Sequence, residues 1–234
     1  MTMLACMTPA VSLGAAGVEL VCATAIFMLA PRSMVRLLAI VTCVLLATYQ
    51  LCELAICRTG GEPWLCRLGF AVIAFLPATT LHMGRLLKAE HMPETRPPRR
   101  FWPIGIRWFY ITSAALAAWV MIDPRFIEGA TCSSFYIHYT YGHELNLVYG
   151  TWYELTLIGL IVMLWPARRD RRSRALLIGT VLFFVPSWIV YFILPSTRTA
   201  HPSIMCVLAF MLSLMLLIAT GAVGGRREPA GDGA

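Results

Sequence analysis

Long apolar segments alternate with short polar ones along almost the whole chain. Each apolar segment has the roughly 20 residues that a helix needs to cross a bilayer, and a helix pairs its own backbone groups, as hydrocarbon requires. The pattern therefore predicts an all-α bundle of seven transmembrane helices within residues 1–223, and a disordered tail at 224–234. The predicted spans, 1 to 7 in chain order, lie at about 10–30, 34–57, 63–87, 104–122, 147–166, 174–195 and 202–223.

The polar segment between spans 4 and 5, residues 123–146, has a different pattern. It contains TCSSFYIHYTYGHELN, in which aromatic and polar side chains alternate. This alternation predicts a short hairpin or folded cap over the mouth of the bundle. The alternative is that the aromatic residues only anchor the chain at the membrane surface, where Tyr and Trp are enriched.

Two prolines interrupt the apolar spans near mid-membrane depth. Pro77 lies in span 3 and Pro186 in span 6. A proline inside a helix removes one backbone hydrogen bond and crowds the preceding turn. Both spans are therefore predicted to kink at these positions.

Composition supports the membrane class. The chain is 59% hydrophobic and 13% charged, whereas soluble domains are about one-quarter charged. The net charge of +7 does not indicate nucleic acid, because the basic residues lie between the spans, as membrane topology requires. We expect the lipid bilayer as a partner and no nucleic acid.

The distribution of Lys and Arg predicts the orientation. Basic residues concentrate in cytoplasmic loops. With the N-terminus outside and the C-terminus cytoplasmic, most of the 19 Lys and Arg residues fall on the inner side. A multi-pass protein of the cell inner membrane is predicted. Four basic residues remain on the outer side: Arg58, Arg67, Arg125 and Arg198.

Four ionisable side chains lie inside the predicted spans. Such residues are costly in a membrane and often functional. They are Glu19, Glu53, Arg67 and Glu154, and all fall at or outside the midplane. We therefore expect an outward-facing polar cavity in which these residues bind a ligand or ion. The alternative for one pair is a structural ion pair between Glu53 and Arg67, on neighbouring spans.

Three cysteines are predicted at the outer face, where an oxidising environment favours disulfides. They are Cys57, Cys66 and Cys132. A bond between Cys66 and Cys132 is favoured because it would order the long outer loop. The alternative is a bond between Cys57 and Cys66, which would close the turn between spans 2 and 3, since sequence does not determine connectivity.

A metal site is conceivable on the same side. His138, His143 and Glu144 lie in the outer loop, and His201 opens span 7. These side chains are common metal ligands, although their spacing matches no established signature. Ordinary hydrogen-bonded loop histidines are the alternative, and no cofactor is identified.

One sequence run resembles a known family. The run WLCRLGFAVIAFLPATTLHMGRLL, residues 64–87, is similar to the third helix of the seven-helix sensor modules that precede some bacterial histidine kinases. The start of span 7, PSIMCVLAFML, is similar too, so the resemblance covers about two of the seven helices. It implies a membrane sensor for an external or lipid-borne signal. Because no kinase follows span 7, signalling would require a separate partner.

Three functions fit these features. The first is a receptor-like or partner-binding module, with a protein partner at the cytoplasmic basic loop 168–174 or along span 4, whose run SAALAAW allows close helix approach. The second is a transporter of a small solute that couples protons or cations through Glu19 or Glu154. The third is an accessory subunit of a larger membrane complex. An enzyme ranks last, because no nucleophile–base pair is recognisable.

Overall fold

The protein is an all-helical bundle with seven helices long and apolar enough to cross a membrane, as predicted. The structure, a computed structural model, describes residues 8–92, 102–133, 136–142 and 145–223. The predicted disordered tail 224–234 lies outside the described residues. The candidate spans are Pro9–Leu29, Met34–Thr59, Pro63–His91, Gly105–Ile122, Leu147–Ala167, Arg171–Ile193 and Arg198–Ala219, within a few residues of the predicted bounds.

Eight α-helices and one two-stranded hairpin make up the described fold. The third span is divided into two helices, so the helix numbers run one ahead of the spans from there on. The elements are α1 (Thr8–Leu29), α2 (Met34–Thr59), α3 (Pro63–Ile73), α4 (Leu76–His91), α5 (Trp102–Ile122), β1 (Gly129–Cys132), β2 (Ile137–Thr140), α6 (Leu145–Leu164), α7 (Arg171–Ile193) and α8 (His201–Ala219).

The break in the third span confirms one of the two predicted kinks. Helix α3 ends at Ile73 and α4 begins at Leu76, with Pro77 in its first turn. Proline is tolerated there because the first N–H groups of a helix have no partner within the helix. Helix α7 instead runs as one helix through Pro186. The Ser187 hydroxyl donates a hydrogen bond to the Phe184 carbonyl in the turn around this proline.

Helix α2 lies at the centre of the bundle. It packs against α1, α3, α4 and α8, while α6 packs against α4 and α7. Helix α5 is the least enclosed candidate span, with 22% of residues Gly105–Ile122 buried. Most of its surface therefore faces away from the bundle.

The segment between the fourth and fifth spans forms the predicted hairpin. Strands β1 and β2 are antiparallel, and Cys132 pairs with Ile137 at the closed end. Ile137 and Tyr139 point inward and are buried, whereas Thr140 is exposed. We call this side of the bundle the hairpin end. The opposite side of the bundle contains the turn 165–170, and we call it the basic end.

The disulfide differs from the favoured prediction. It joins Cys57 to Cys132, and Cys66 is a buried free thiol. Cys57 lies in the last turns of α2, which contacts β1, while the Cys66 side chain faces the bundle interior. A tight turn brings β1 to this position, since a Cβ at Gly61 would clash with the Ala130 carbonyl. Neither pairing considered from the sequence, Cys66–Cys132 or Cys57–Cys66, is the one that forms.

The basic end is held together by side-chain hydrogen bonds. Arg172 donates to the Ala219 carbonyl at 2.8 Å and to the Glu90 carboxylate at 2.7 Å, which joins α7 to α8 and α4. The Asp170 carboxylate accepts from the Ser173 N–H at 2.7 Å and caps α7. Burial alone would raise the pKa of Asp170, but hydrogen bonds from Ser173 and Arg172 outweigh it and lower the pKa.

We expect Asp170→Ala to lower the free energy of unfolding by about 1 kcal/mol, as loss of an N-cap does, and Asp170→Asn to lose less because it still accepts the Ser173 bond. Since the folded pKa is lowered, this contribution is present at neutral pH and is lost as pH falls through the folded value. Thermal unfolding in detergent at pH 7 tests this. Equal losses in both variants would contradict the capping role.

Candidate functional site

Glu53 is a hydrogen-bonded carboxylate in the interior of the hairpin end. Its side chain is fully buried. The Tyr139 hydroxyl donates to Oε1 at 3.1 Å, and the Ser12 hydroxyl donates to Oε2 at 3.3 Å. The Ser203 hydroxyl also bonds to this carboxylate, and the Tyr49 hydroxyl lies nearby. Glu53 therefore joins α1, α2, α8 and the hairpin.

Tyr139 carries the hairpin's contribution to this cluster. Its hydroxyl lies 2.8 Å from the hydroxyl of Tyr49, and both rings are buried. Burial and the nearby Glu53 charge raise the pKa of Tyr139 well above its usual value. The phenol therefore stays protonated at neutral pH and donates to Glu53. This arrangement indicates that Glu53 positions the hairpin.

The proposed ion pair between Glu53 and Arg67 is not formed. The Glu53 oxygens are bonded to hydroxyls instead. Arg67 is half-buried on α3, and its Nε has no hydrogen-bond partner in the described part of the chain. The two residues have similar depth on neighbouring helices, but depth does not determine the direction in which a side chain points.

Glu19 is the least satisfied ionisable residue. It is fully buried on α1, and neither carboxyl oxygen has a hydrogen-bond partner among the described residues. Gln50 on α2 is also fully buried, and both of its amide atoms lack partners there. Buried polar groups are normally bonded, so these two mark an unexplained polar region within the core.

A separate cavity of about 350 Å³ lies at the hairpin end, between α6 on one side and α7 and α8 on the other. Phe70 and Ile73, from the last turn of α3 before the helix break, form part of its wall. Of the predicted site residues, Glu154 and His201 line this cavity, whereas Glu19, Glu53 and Arg67 do not. This cavity therefore contains one of the four predicted charged residues, and a cavity shared by all four stays a prediction.

Three residues that line this cavity each have a buried polar atom without a partner. The Tyr153 hydroxyl, the Trp188 indole Nε1 and the His201 Nε2 are all buried and form no hydrogen bond within the described residues. Leaving a buried polar group unbonded costs about 1–3 kcal/mol. Three such groups in the wall of one cavity mark it as the candidate site.

Several aromatic rings pack against one another in the wall of the cavity. The Trp188 and His201 ring centroids lie 5.5 Å apart, and Tyr191 lies 5.2 Å from each of them. Arg198 is exposed at the rim, with its guanidinium 5.5 Å from the Tyr191 ring centroid. Leu147 and Thr151 form the opposite rim and are also exposed. The cavity is therefore apolar inside and accessible at its edge.

The candidate metal ligands are not assembled in the described structure. The His138 Nδ1 lies 2.9 Å from the Thr199 hydroxyl, which explains this histidine as a hydrogen-bonded loop residue. Across the described residues, no group of three His, Cys, Asp or Glu side chains is placed to hold a metal. His143 and Glu144 lie outside the described residues, so the four-residue site stays a prediction.

Sequence reasoning missed Trp188, Tyr153 and Tyr191. Each is an aromatic residue with a polar atom, in the half of its span that faces the hairpin end. This common depth could have marked them as cavity residues. The general enrichment of Tyr and Trp at membrane borders hid the signal.

No protein-family description matches the chain, and no curated protein is significantly similar to it. The resemblance to the kinase-linked sensor modules therefore stays a prediction.

Proposed function

We propose that this protein is a receptor-like membrane module that binds a small ligand in the cavity between α6, α7 and α8. The observation that carries the proposal is that three residues in the wall of one cavity, Tyr153, Trp188 and His201, each have a buried polar atom without a partner. Apolar cavities with a few convergent polar groups are typical of ligand sites. Output would pass through a separate partner.

We propose that the protein lies in the inner membrane of the cell, with the hairpin end outside and the basic end in the cytoplasm. Two observations support it. Basic residues concentrate at the opposite end. The Cys57–Cys132 disulfide lies at the hairpin end, and disulfides persist in oxidising compartments. The ligand would then reach the cavity from outside the cell or from the outer leaflet.

Close packing of the helices towards the basic end favours ligand binding over transport of a solute across the membrane. A Cβ at Gly84 on α4 would lie 2.5 Å from the Leu160 Cδ1 of α6. A Cβ at Gly179 on α7 would lie 2.8 Å from the Met215 Cβ of α8. These glycines allow α4 to contact α6 and α7 to contact α8 in the half of the bundle nearer the basic end, which supports a cavity that is closed on that side.

Transport is the second candidate, favoured by Glu19 and Gln50. Their unbonded atoms lie within the core, and intramembrane carboxyl groups are recurrent proton-coupling residues. A pH-dependent solute flux in liposomes that is lost in Glu19→Gln would favour transport over the receptor-like function.

A partner protein has two candidate surfaces. One is the face of α5 that points away from the bundle. If other subunits pack against this face, the chain is an accessory subunit of a larger membrane complex. The other comprises the exposed arginines Arg168, Arg169 and Arg174. Arg172 is excluded because it bonds to Ala219 and Glu90. Exchanging Arg169 and Arg174 for Glu, with co-purification as the measurement, tests the second surface.

The binding function is tested by filling the cavity. Gly150 lines it, and a Cβ there would meet no atom within 4 Å, so Gly150→Leu enters open space without disturbing the backbone. We expect native mass spectrometry of protein extracted from its own membrane to detect a retained small mass. Gly150→Leu should lose that mass.

The matched control is Gly159→Leu on the same helix, which also meets no atom within 4 Å but lies outside the cavity. It should retain the mass. Equal retention in both variants, or no retained mass in the unsubstituted protein, would contradict ligand binding in this cavity.

A further inference from the structure

Glu154 places a carboxyl group without a partner in the cavity wall. It is half-buried, and it has no hydrogen bond or ion pair within the described residues. It lies nine residues into α6, about 14 Å along the helix from its start at Leu145. Ionisable groups at such depth normally pair with an opposite charge. No described residue forms an ion pair with Glu154, so a positively charged ligand can supply the opposite charge.

The surrounding rings favour the same sign of charge on the ligand. Tyr149 and Tyr153 stack with their planes 19° apart, and Trp188 lies across the cavity from them. The faces of aromatic rings carry partial negative charge and attract ammonium groups, most strongly for Trp. A cation between these rings and Glu154 would gain both interactions in a partly desolvated site.

The exposed rim of the cavity carries positive charge. Arg198 precedes α8 in the 3-10 turn Pro195–Ala200, where it borders the rim. Its guanidinium repels a cation at the mouth and attracts a negative or strongly polar group. The charge order, negative inside and positive at the rim, therefore orients a ligand with its cationic group inward.

From this arrangement we infer that the ligand is an organic ammonium ion whose nitrogen binds Glu154 and whose apolar body lies between the aromatic rings of α6 and α7. This inference rests on the proposed function, because it names the ligand class of the same cavity. The volume of about 350 Å³ limits the ligand to a small molecule. An acyl chain on the ligand would extend through the rim into the bilayer.

Three probes of one shape and different charge test the inference. At pH 7, 2-phenylethylamine is a cation, 2-phenylethanol is neutral and phenylacetate is an anion. Each is titrated into the purified full-length protein in detergent, and binding is measured by isothermal calorimetry. We expect the amine to bind at least tenfold more tightly than the alcohol, and phenylacetate to bind more weakly than either.

The carboxyl group is tested by substitution. Glu154→Gln should weaken amine binding at least tenfold and leave alcohol binding unchanged, whereas Glu154→Asp keeps the charge and should keep the preference for the amine. Glu128→Gln is the matched control, because Glu128 is an exposed carboxylate at the same end and lies outside the cavity. It should bind all probes as the unsubstituted protein does. Thermal unfolding establishes that each variant is folded.

The outcomes separate this inference from the function on which it rests. Equal affinity for the three probes, or amine binding that survives in Glu154→Gln, overturns the ammonium inference while the cavity remains a binding site. The inference also fails if no probe binds although a native small mass is retained. If no probe binds and no mass is retained, both the inference and the proposed function fail.

Discussion

Gly179→Val is expected to destabilise the protein strongly, because α7 and α8 touch at this glycine. An added Cβ would lie 2.8 Å from the Met215 Cβ and 3.3 Å from the Leu212 Cα. Both atoms are close to the α8 backbone, so a change of side-chain rotamer cannot relieve the overlap. Overpacking of this kind costs about 1–3 kcal/mol, and the branched valine should reach the upper end of that range. Thermal unfolding in detergent is the measurement.

The control for this substitution is Gly159→Val. Gly159 lies on α6, and a Cβ there meets no atom within 4 Å. The same residue change therefore adds the same apolar surface and the same β-branching without a clash. If the two variants unfold at the same temperature, α7 and α8 are not packed as closely as described, and the argument for binding over passage loses its support.

The seven spans could be predicted from sequence because one physical term dominates them. An apolar run of about 20 residues has few alternatives to a membrane-spanning helix. The hairpin could also be predicted from the sequence, since alternation along residues 136–141 places Ile137 and Tyr139 on one face. The break before Pro77 followed from proline chemistry. Each of these predictions depends on local sequence only.

The site could not be predicted in the same way, because it depends on how each helix is rotated. Glu53 bonds to Tyr139, 86 positions away, and not to Arg67 on the next helix. Depth in the membrane follows from position along a span, whereas rotation follows from the packing of every neighbour. Glu154 therefore lines the cavity alone among the four charged candidates, and Glu19 lies in the core without a partner.

Loss of the Cys57–Cys132 disulfide should have the other large effect. The bond closes a loop with a sequence separation of 75 residues. In the chain-entropy description, closing a loop of this length stabilises a protein by about 4 kcal/mol. Helices that persist in detergent already restrict the unfolded chain, so we expect the Cys57→Ser/Cys132→Ser variant to lose about 2–4 kcal/mol. Thermal unfolding without reductant measures the loss.

Cys66→Ser distinguishes the Cys57–Cys132 bond from a Cys66–Cys132 bond. Cys66 is a free thiol with 1% of its surface exposed, so its replacement should leave the disulfide intact. Mass spectrometry after alkylation of the unfolded chain should then detect one fewer modified thiol than in the unsubstituted protein. If Cys66 pairs with Cys132 instead, Cys66→Ser frees Cys132 and the number of modified thiols does not fall. Formation of either bond in cells would also place the hairpin end in an oxidising compartment, because cytosolic thiols are kept reduced.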